Sequence, residues 1–265
     1  MIRNSKLADE RRETGPIDCW CLHGAVGLAA DWRGLSEGLA QREIGTRAVD
    51  LWRFLECEPM PVKHFGAAFN ADASGNPDRG QSRVLAGYSM GGRLALHALL
   101  EKKHPWKAAI IIGAHPGLEE EGERAARAAS DAEWASKALL EKFSDFLATW
   151  DNQMILKGIS IREPGDLSRL QLRRREIARS FVDWSLGNQQ PLWNRLPEID
   201  IPVLWVAGEE DEKFRSLGER ACELIPNAKL AVAPHSGHRV PWQACNWLAD
   251  IMAKFLLTGN HCVDE

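Results

Sequence analysis

The chain has 265 residues, of which 45% are hydrophobic and 26% are charged, a composition typical of a globular protein. Its 33 basic and 37 acidic residues give a net charge of −4, which excludes a broadly basic protein that coats nucleic acid. No apolar run approaches the roughly 18 residues of a transmembrane helix, and the charged N-terminal segment lacks the apolar core of a signal peptide, so we expect a cytoplasmic protein without membrane contact.

Short apolar runs recur along the chain and predict strands. In chain order they are Ile17–Leu22, Thr46–Leu51, Ser82–Gly87, Ala108–Gly113, Pro202–Gly208 and Lys229–Ala233. Runs without polar alternation are typical of strands that are covered on both faces. Helical patterns lie between them, such as Trp32–Glu43, and a further helix over Trp242–Leu257 follows the last run. This alternation predicts an α/β protein with a mainly parallel sheet.

One long stretch, residues 118–196, contains no good strand pattern. Helical periodicity runs through Arg124–Leu139, Glu141–Trp150 and Leu167–Leu186, with Gly and Pro residues between these segments. Because the strand pattern resumes immediately afterwards, we predict a helical cap at 118–196, inserted into a core formed by residues 1–117 and 197–265. The alternative is a second helical domain with its own role.

The strongest motif is the sequence GYSMG at residues 87–91, which lies between a predicted strand and a predicted helix. A G-x-S-x-G pattern in that context predicts a nucleophile elbow, a tight turn that exposes the Ser89 hydroxyl at the edge of the sheet. Such a serine needs oxyanion donors, and we expect the backbone N–H groups of Ala25 and Met90 to supply them. His23, close to Ala25, is expected to orient its loop through hydrogen bonds.

A serine nucleophile also needs a base and an acid, which in this kind of fold follow it in the order acid, then histidine. Asp211 follows the strand that ends at Gly208, and His238 follows the last predicted strand. An acid just past a strand's carboxyl end lies at the active edge of a parallel sheet. Glu209 and Glu210 compete with Asp211 for the role of acid, and His235 competes with His238 for the role of base.

Several segments together resemble the α/β-hydrolase superfamily, and within it the 2-succinyl-6-hydroxy-2,4-cyclohexadiene-1-carboxylate (SHCHC) synthases of menaquinone biosynthesis. The matching segments are LHG at 22–24 with Asp31 and Trp32, GYSMGGR at 87–93, AHPGL at 114–118, ERAAR at 123–127 with Asp131 and Trp134, QPLW at 190–193 and GEEDEKF at 208–214. The resemblance implies an α/β-hydrolase fold. It also implies a lyase that removes a ring proton and expels pyruvate from an enolpyruvyl precursor.

The resemblance also assigns site residues. It implies that Ser89, Asp211 and His238 form the catalytic triad. The substrate-binding residues that it implies are Tyr88, Arg93, Arg127, Trp150 and one of three consecutive arginines, of which we favour Arg173 over Arg174 and Arg175. The implied substrate is a small polycarboxylate, and the planar fork of arginine suits carboxylates. The family's DLPGHG-like loop is replaced here by DLWRF at 50–54, which leaves the mouth of the site and the exact substrate open.

Three functions compete at this stage. The first is the lyase, the second is a serine hydrolase of esters or carbon–carbon bonds in a small anionic substrate, and the third is a non-catalytic binding protein. The triad alone does not separate elimination from nucleophilic attack. Neither the cysteines nor the histidines follow a metal-binding spacing and no phosphate-binding loop is present, so we expect no metal and no cofactor. The sequence does not indicate the oligomeric state.

Overall fold

Six strands form one parallel sheet in the computed structural model, which describes residues 16–75, 80–156, 159 and 161–258. The strands are β1 (Ile17–Leu22), β2 (Gly45–Val49), β3 (Ser82–Tyr88), β4 (Ala108–Ile112), β5 (Val203–Gly208) and β6 (Ala228–Ala233). Their spatial order is β2-β1-β3-β4-β5-β6, and every neighbouring pair is parallel. The predicted parallel α/β fold is therefore confirmed.

Helices connect and cover the strands. They are α1 (Arg33–Ala40), α2 (Val62–Gly75), α3 (Met90–Leu99), α4 (Glu121–Leu140), α5 (Phe143–Asp151), α6 (Asp166–Leu172), α7 (Arg174–Asp183), α8 (Glu212–Leu224), α9 (Val240–Gln243) and α10 (Cys245–Leu257). Short 3-10 helices lie at Ala29–Trp32, Leu51–Leu55, Met154–Leu156 and Trp193–Glu198. None of the helices in the described ranges combines the length and apolar character that spanning a bilayer requires.

The sheet separates two hydrophobic cores. Along β1, Cys19 and Cys21 face the core built with α1 and α10, whereas Trp20 and Leu22 face the core built with α2, α3 and α8. Successive side chains of a strand point to opposite faces, so both faces of β1 are apolar and all six of its residues are buried. This burial on both sides explains why the strand sequences lack polar alternation.

The chain between β4 and β5 adds a helical layer. Its described residues form α4 to α7 and two short 3-10 helices, and they contain no strand. α4 packs along α7, and their apolar side chains, such as Ala135 and Phe181, join the core that also holds α2 and α3. One predicted helix, Leu167–Leu186, is two helices here, because the chain turns at Arg173. We retain residues 118–196 as the proposed extent of the cap.

Candidate active site

Ser89 occupies the sharp turn between β3 and α3. Its φ of 52° and ψ of −111° are unfavourable for a residue with a side chain, and such strain is typical of functional positions. The neighbouring glycines permit the turn. A Cβ on Gly87 would lie 2.4 Å from the Gly91 oxygen, and one on Gly91 would lie 2.2 Å from the Leu22 oxygen. The start of α3 is therefore packed directly against the end of β1, beside Ser89.

The three residues predicted for the triad are hydrogen-bonded in series. The Ser89 hydroxyl donates to His238 Nε2 over 3.0 Å, and His238 Nδ1–H donates to Asp211 Oδ2 over 2.7 Å. Asp211 and His238 are buried, whereas Ser89 is partly exposed. A carboxylate oxygen that accepts from Nδ1 leaves the lone pair of Nε2 to accept from the serine. This geometry can activate Ser89 as a base or as a nucleophile.

Local packing fixes the positions of Asp211 and His238. Asp211 caps the N-terminus of α8 and accepts a long hydrogen bond from Phe214 N–H at 3.5 Å, while the centroid of the Phe214 ring lies 4.4 Å from that of the His238 ring. The alternative residues lie outside this arrangement. The His235 side chain is 93% exposed, and its backbone N–H donates to Glu209, which is exposed as well.

A cavity of about 270 Å³ opens beside Ser89 and His238. Of the predicted site residues, Ala25, Met90, Arg93, Arg127 and Trp150 line it together with Ser89 and His238. The Trp150 ring packs edge-to-face with Trp134, at 5.1 Å between centroids, and so forms part of an aromatic wall. Tyr88 and Arg173 do not line this cavity.

The two arginines of the cavity differ in burial. Arg93 is buried and donates to Gln189 Oε1 over 2.8 Å and to the Trp184 carbonyl over 2.7 Å. Burial, together with the positive charge of Arg127, lowers the pKa of the Arg93 guanidinium to about 9, so it stays protonated at neutral pH. Arg127 is partly exposed and donates from Nε to Asp131 Oδ1 over 2.8 Å. A desolvated cation beside a second cation favours an anionic ligand.

Tyr88 lies behind the triad. Its buried ring packs 5.5 Å from His238 and 5.3 Å from Trp242, and burial raises the pKa of its phenol. It lines a smaller cavity of about 40 Å³, which adjoins Ser89 and also contacts Arg162 and Arg239. The structure therefore places the Tyr88 ring against His238, and its role in substrate binding stays a prediction.

The structure does not place Arg173 at the Ser89 cavity. Arg173 forms ion pairs with Asp50, at 2.6 Å, and with Glu56, and it does not line that cavity. Arg174 donates instead to the carbonyls of Ala138 and Glu141, so it does not replace Arg173. Arg175 is exposed. The sequence of three arginines could not show that the acidic residues Asp50 and Glu56 hold Arg173.

His23 holds the loop that precedes Ala25. Its Nδ1–H donates to the Gly24 carbonyl over 2.9 Å, and its Nε2 accepts from Leu51 N–H over 3.3 Å. Burial lowers the pKa of His23 to about 4, so the ring is neutral and both bonds persist at neutral pH. These contacts orient the loop that carries the Ala25 amide.

Sequence patterning missed several residues around the site. Arg239, directly after His238, donates to Asp151 Oδ1 over 2.7 Å, and Arg162 donates to the other oxygen of the same carboxylate over 2.9 Å. Asp151 thus ties the end of α5 to the loop that carries the triad histidine. His115 and Gln189 were also not predicted as site residues, although His115 lies in the AHPGL segment at 114–118.

Comparison with known proteins defines the class of this chain. The alpha/beta hydrolase family matches residues 21–251, so the chain belongs to that family and is an alpha/beta hydrolase enzyme. A Pectobacterium atrosepticum protein named 2-succinyl-6-hydroxy-2,4-cyclohexadiene-1-carboxylate synthase is 28% identical over 230 residues, which cover 84% of this chain and 89% of that protein. A Bacillus subtilis protein, whose name gives the same activity provisionally, is 29% identical over 247 residues, or 89% of each chain.

A solved structure agrees with this assignment of the fold. The structure of MenH from S. aureus matches with a TM-score of 0.80 at 23% identity, covering 92% of this chain and 94% of that chain. The resemblance to α/β hydrolases and to SHCHC synthases that the motifs indicated is confirmed by these matches.

Proposed function

We propose that this enzyme is a lyase that eliminates pyruvate from an enolpyruvyl-cyclohexene polycarboxylate and so forms SHCHC in menaquinone biosynthesis. The observation that carries the proposal is the juxtaposition of a hydrogen-bonded Ser89–His238 pair with Arg93 and Arg127 around one cavity. The names of the relatives at 28–29% identity support the choice of substrate.

In this mechanism Ser89 acts as the base. His238 takes the hydroxyl proton of Ser89 while Oγ takes a proton from a ring carbon, so the C–H electrons become a ring double bond. The bond between the ring and the enolpyruvyl oxygen breaks, and its electron pair leaves with the pyruvate enolate. The enolate takes the proton held by His238 and becomes pyruvate, which returns His238 to its neutral form and leaves the Ser89 hydroxyl restored. The N–H groups of Ala25 and Met90 would stabilise the negative charge that develops on the substrate. No water is consumed and no covalent intermediate forms.

The arginines bind the carboxylates in this mechanism. Arg93 is fixed by Gln189 and the Trp184 carbonyl, which orients its guanidinium before the substrate arrives. Arg127 lies on α4, whereas Arg93 lies on α3. The Arg127 side chain is partly exposed and can bind a second carboxylate. Trp150 would cover the ring of the substrate.

Replacing Arg127 by Ala should lower kcat/KM by roughly 10- to 100-fold, because one charge-assisted contact to a carboxylate contributes about 1.5–3 kcal/mol. The matched control is Arg173→Ala, which removes an arginine of the cap that binds Asp50 and Glu56 instead of lining the cavity. We expect that control to retain its kcat/KM. Steady-state kinetics of pyruvate release would measure both, and equal losses in the two variants would contradict the polyanionic site.

The second candidate function is a serine hydrolase, because the same triad geometry serves nucleophilic attack on an ester. The hydrolase forms a covalent acyl-enzyme on Ser89, whereas the lyase forms no covalent intermediate. If the enzyme is a lyase, intact-protein mass spectrometry of enzyme quenched during turnover of the enolpyruvyl precursor should show unmodified protein. An adduct with the mass of an acyl fragment of the substrate, absent from a Ser89→Ala variant, would favour the hydrolase.

A further inference from the structure

We propose that His115 is a neutral hydrogen-bond donor to the ligand, and that it selects ligands with an oxygen acceptor at the arginine end of the Ser89 cavity. The residue follows β4, lines the same cavity as Arg93 and Arg127, and is only 7% exposed. The inference deepens the proposed lyase function, since the ligand in question is the substrate of that site.

The hydrogen bonding of the ring defines where its proton lies. Gly117 N–H donates to His115 Nδ1 over 3.0 Å, so Nδ1 carries a lone pair and the proton resides on Nε2. Within the described ranges no hydrogen bond to a protein group involves Nε2. His115 is more than nine-tenths buried and lies on the wall of the cavity, so a ligand oxygen in the cavity can accept from Nε2–H.

Burial and the neighbouring positive charges keep the His115 ring neutral. Burial, followed by the positive charges of Lys213, Arg93 and Arg127, lowers the pKa of His115 to about 4, against a smaller opposing effect of Glu119. The ring therefore donates without adding a third positive charge to Arg93 and Arg127 in the cavity. Such a donor suits a hydroxyl, keto or carboxylate oxygen equally, whereas the arginines require an anion.

Gln189 fixes His115 relative to Arg93. Its Oε1 accepts from Arg93 over 2.8 Å, and its Nε2 donates to the Pro116 carbonyl over 2.9 Å. Gln189 is fully buried, and the loop 115–117 and the Arg93 guanidinium are thus held by a single side chain. The Phe214 ring stands edge-on to His115, at 6.5 Å between centroids. This arrangement pre-organises a cation and a neutral donor for the same ligand.

Two substitutions separate the bond to Gly117 from the bond to the ligand. In His115→Asn the amide oxygen takes the place of Nδ1 and still accepts from Gly117, but nothing replaces Nε2–H. In His115→Gln the amide nitrogen reaches the place of Nε2 and can still donate into the cavity, while the acceptor for Gly117 is lost. A purely structural role predicts that Asn preserves function better than Gln, and a ligand-binding role predicts the reverse.

The experiment measures KM for pyruvate release and, independently of turnover, Kd by calorimetry for 2-succinylbenzoate, the aromatic polycarboxylate that corresponds to dehydrated SHCHC. We expect His115→Asn to raise both constants about tenfold, as loss of one hydrogen bond implies, with a smaller change in kcat, and His115→Gln to recover most of that loss. His235→Asn, a change at an exposed histidine, should leave both constants unaltered.

Unchanged KM and Kd in His115→Asn would overturn the inference. So would a larger rise of these constants in His115→Gln than in His115→Asn, accompanied by a lower melting temperature of His115→Gln. A wild-type enzyme that binds 2-succinylbenzoate but releases no pyruvate would overturn the lyase function alone, and the Kd comparison would still test His115. A wild-type enzyme that does not bind the probe would overturn the assignment of His115 to such a ligand.

Discussion

Substitution of Ser89 by Ala should lower kcat by about 10⁴-fold or more, because the hydroxyl that His238 activates is removed from the reacting centre. The fold should persist, since the side chain is partly exposed and the strained turn depends on the flanking glycines. Pyruvate release measured over hours would give the residual rate, and urea denaturation would give the free energy of unfolding.

A matched control for this variant is Ser136→Ala, which changes an exposed serine on α4 whose hydroxyl donates to the Ala132 carbonyl. It should retain full activity, which would show that a serine-to-alanine change and its purification do not by themselves inactivate the enzyme. Turnover of Ser89→Ala within tenfold of the wild type would remove Ser89 from the mechanism.

The second large effect is expected at Asp211. Replacing it by Asn should lower kcat by roughly 10³- to 10⁴-fold, because an amide can donate to Nδ1 and so favours the tautomer in which Nε2 can no longer accept from Ser89. Single-turnover kinetics would measure the loss. Glu210→Gln provides the control, since Glu210 is exposed beside Asp211, whereas the carboxylate bonded to His238 is that of Asp211.

Retention of activity in Asp211→Asn, together with its loss in Glu210→Gln, would transfer the role of acid to Glu210. The structure favours Asp211 because its carboxylate is buried and lies 2.7 Å from the histidine.

Much of the fold could be predicted because the strands are short apolar runs in a sheet covered on both sides. The six predicted strands agree with the observed bounds to within two residues at each end. Helix α2 was not predicted, since its buried face includes Gly66 and Asn70, which weaken the helical pattern. Tertiary contacts explain why these two residues occur in the helix. A Cβ on Gly66 would lie 2.5 Å from the His97 carbonyl oxygen, and Asn70 donates to the Ala98 carbonyl.

The hydrogen-bonded series of Ser89, His238 and Asp211 could be predicted because each residue has a local sequence signal, such as the glycines around Ser89. The substrate side of the site could be predicted only partly. Arg93 and Arg127 occupy motif positions and line the cavity, but Arg173 is held by acidic residues more than 100 positions away in the chain. Ion pairs between residues so far apart in the chain produce no periodicity or spacing in the sequence from which they could be predicted. His115 was overlooked for a related reason, because its bond to Gly117 and its place on the wall become visible only in three dimensions.

Parallel assays of pyruvate release from the enolpyruvyl precursor of SHCHC and of p-nitrophenyl acetate cleavage, with one preparation of the purified enzyme, test the proposed lyase most directly. The hydrogen-bonded series of Ser89, His238 and Asp211, the proposed oxyanion donors and the cavity arginines predict that one pyruvate is released per precursor, with a kcat/KM far above that for the neutral ester. Slow ester cleavage is compatible with this result, since an activated serine hydrolyses reactive esters. Fast turnover of the ester without release of pyruvate would contradict the lyase and would leave a serine hydrolase.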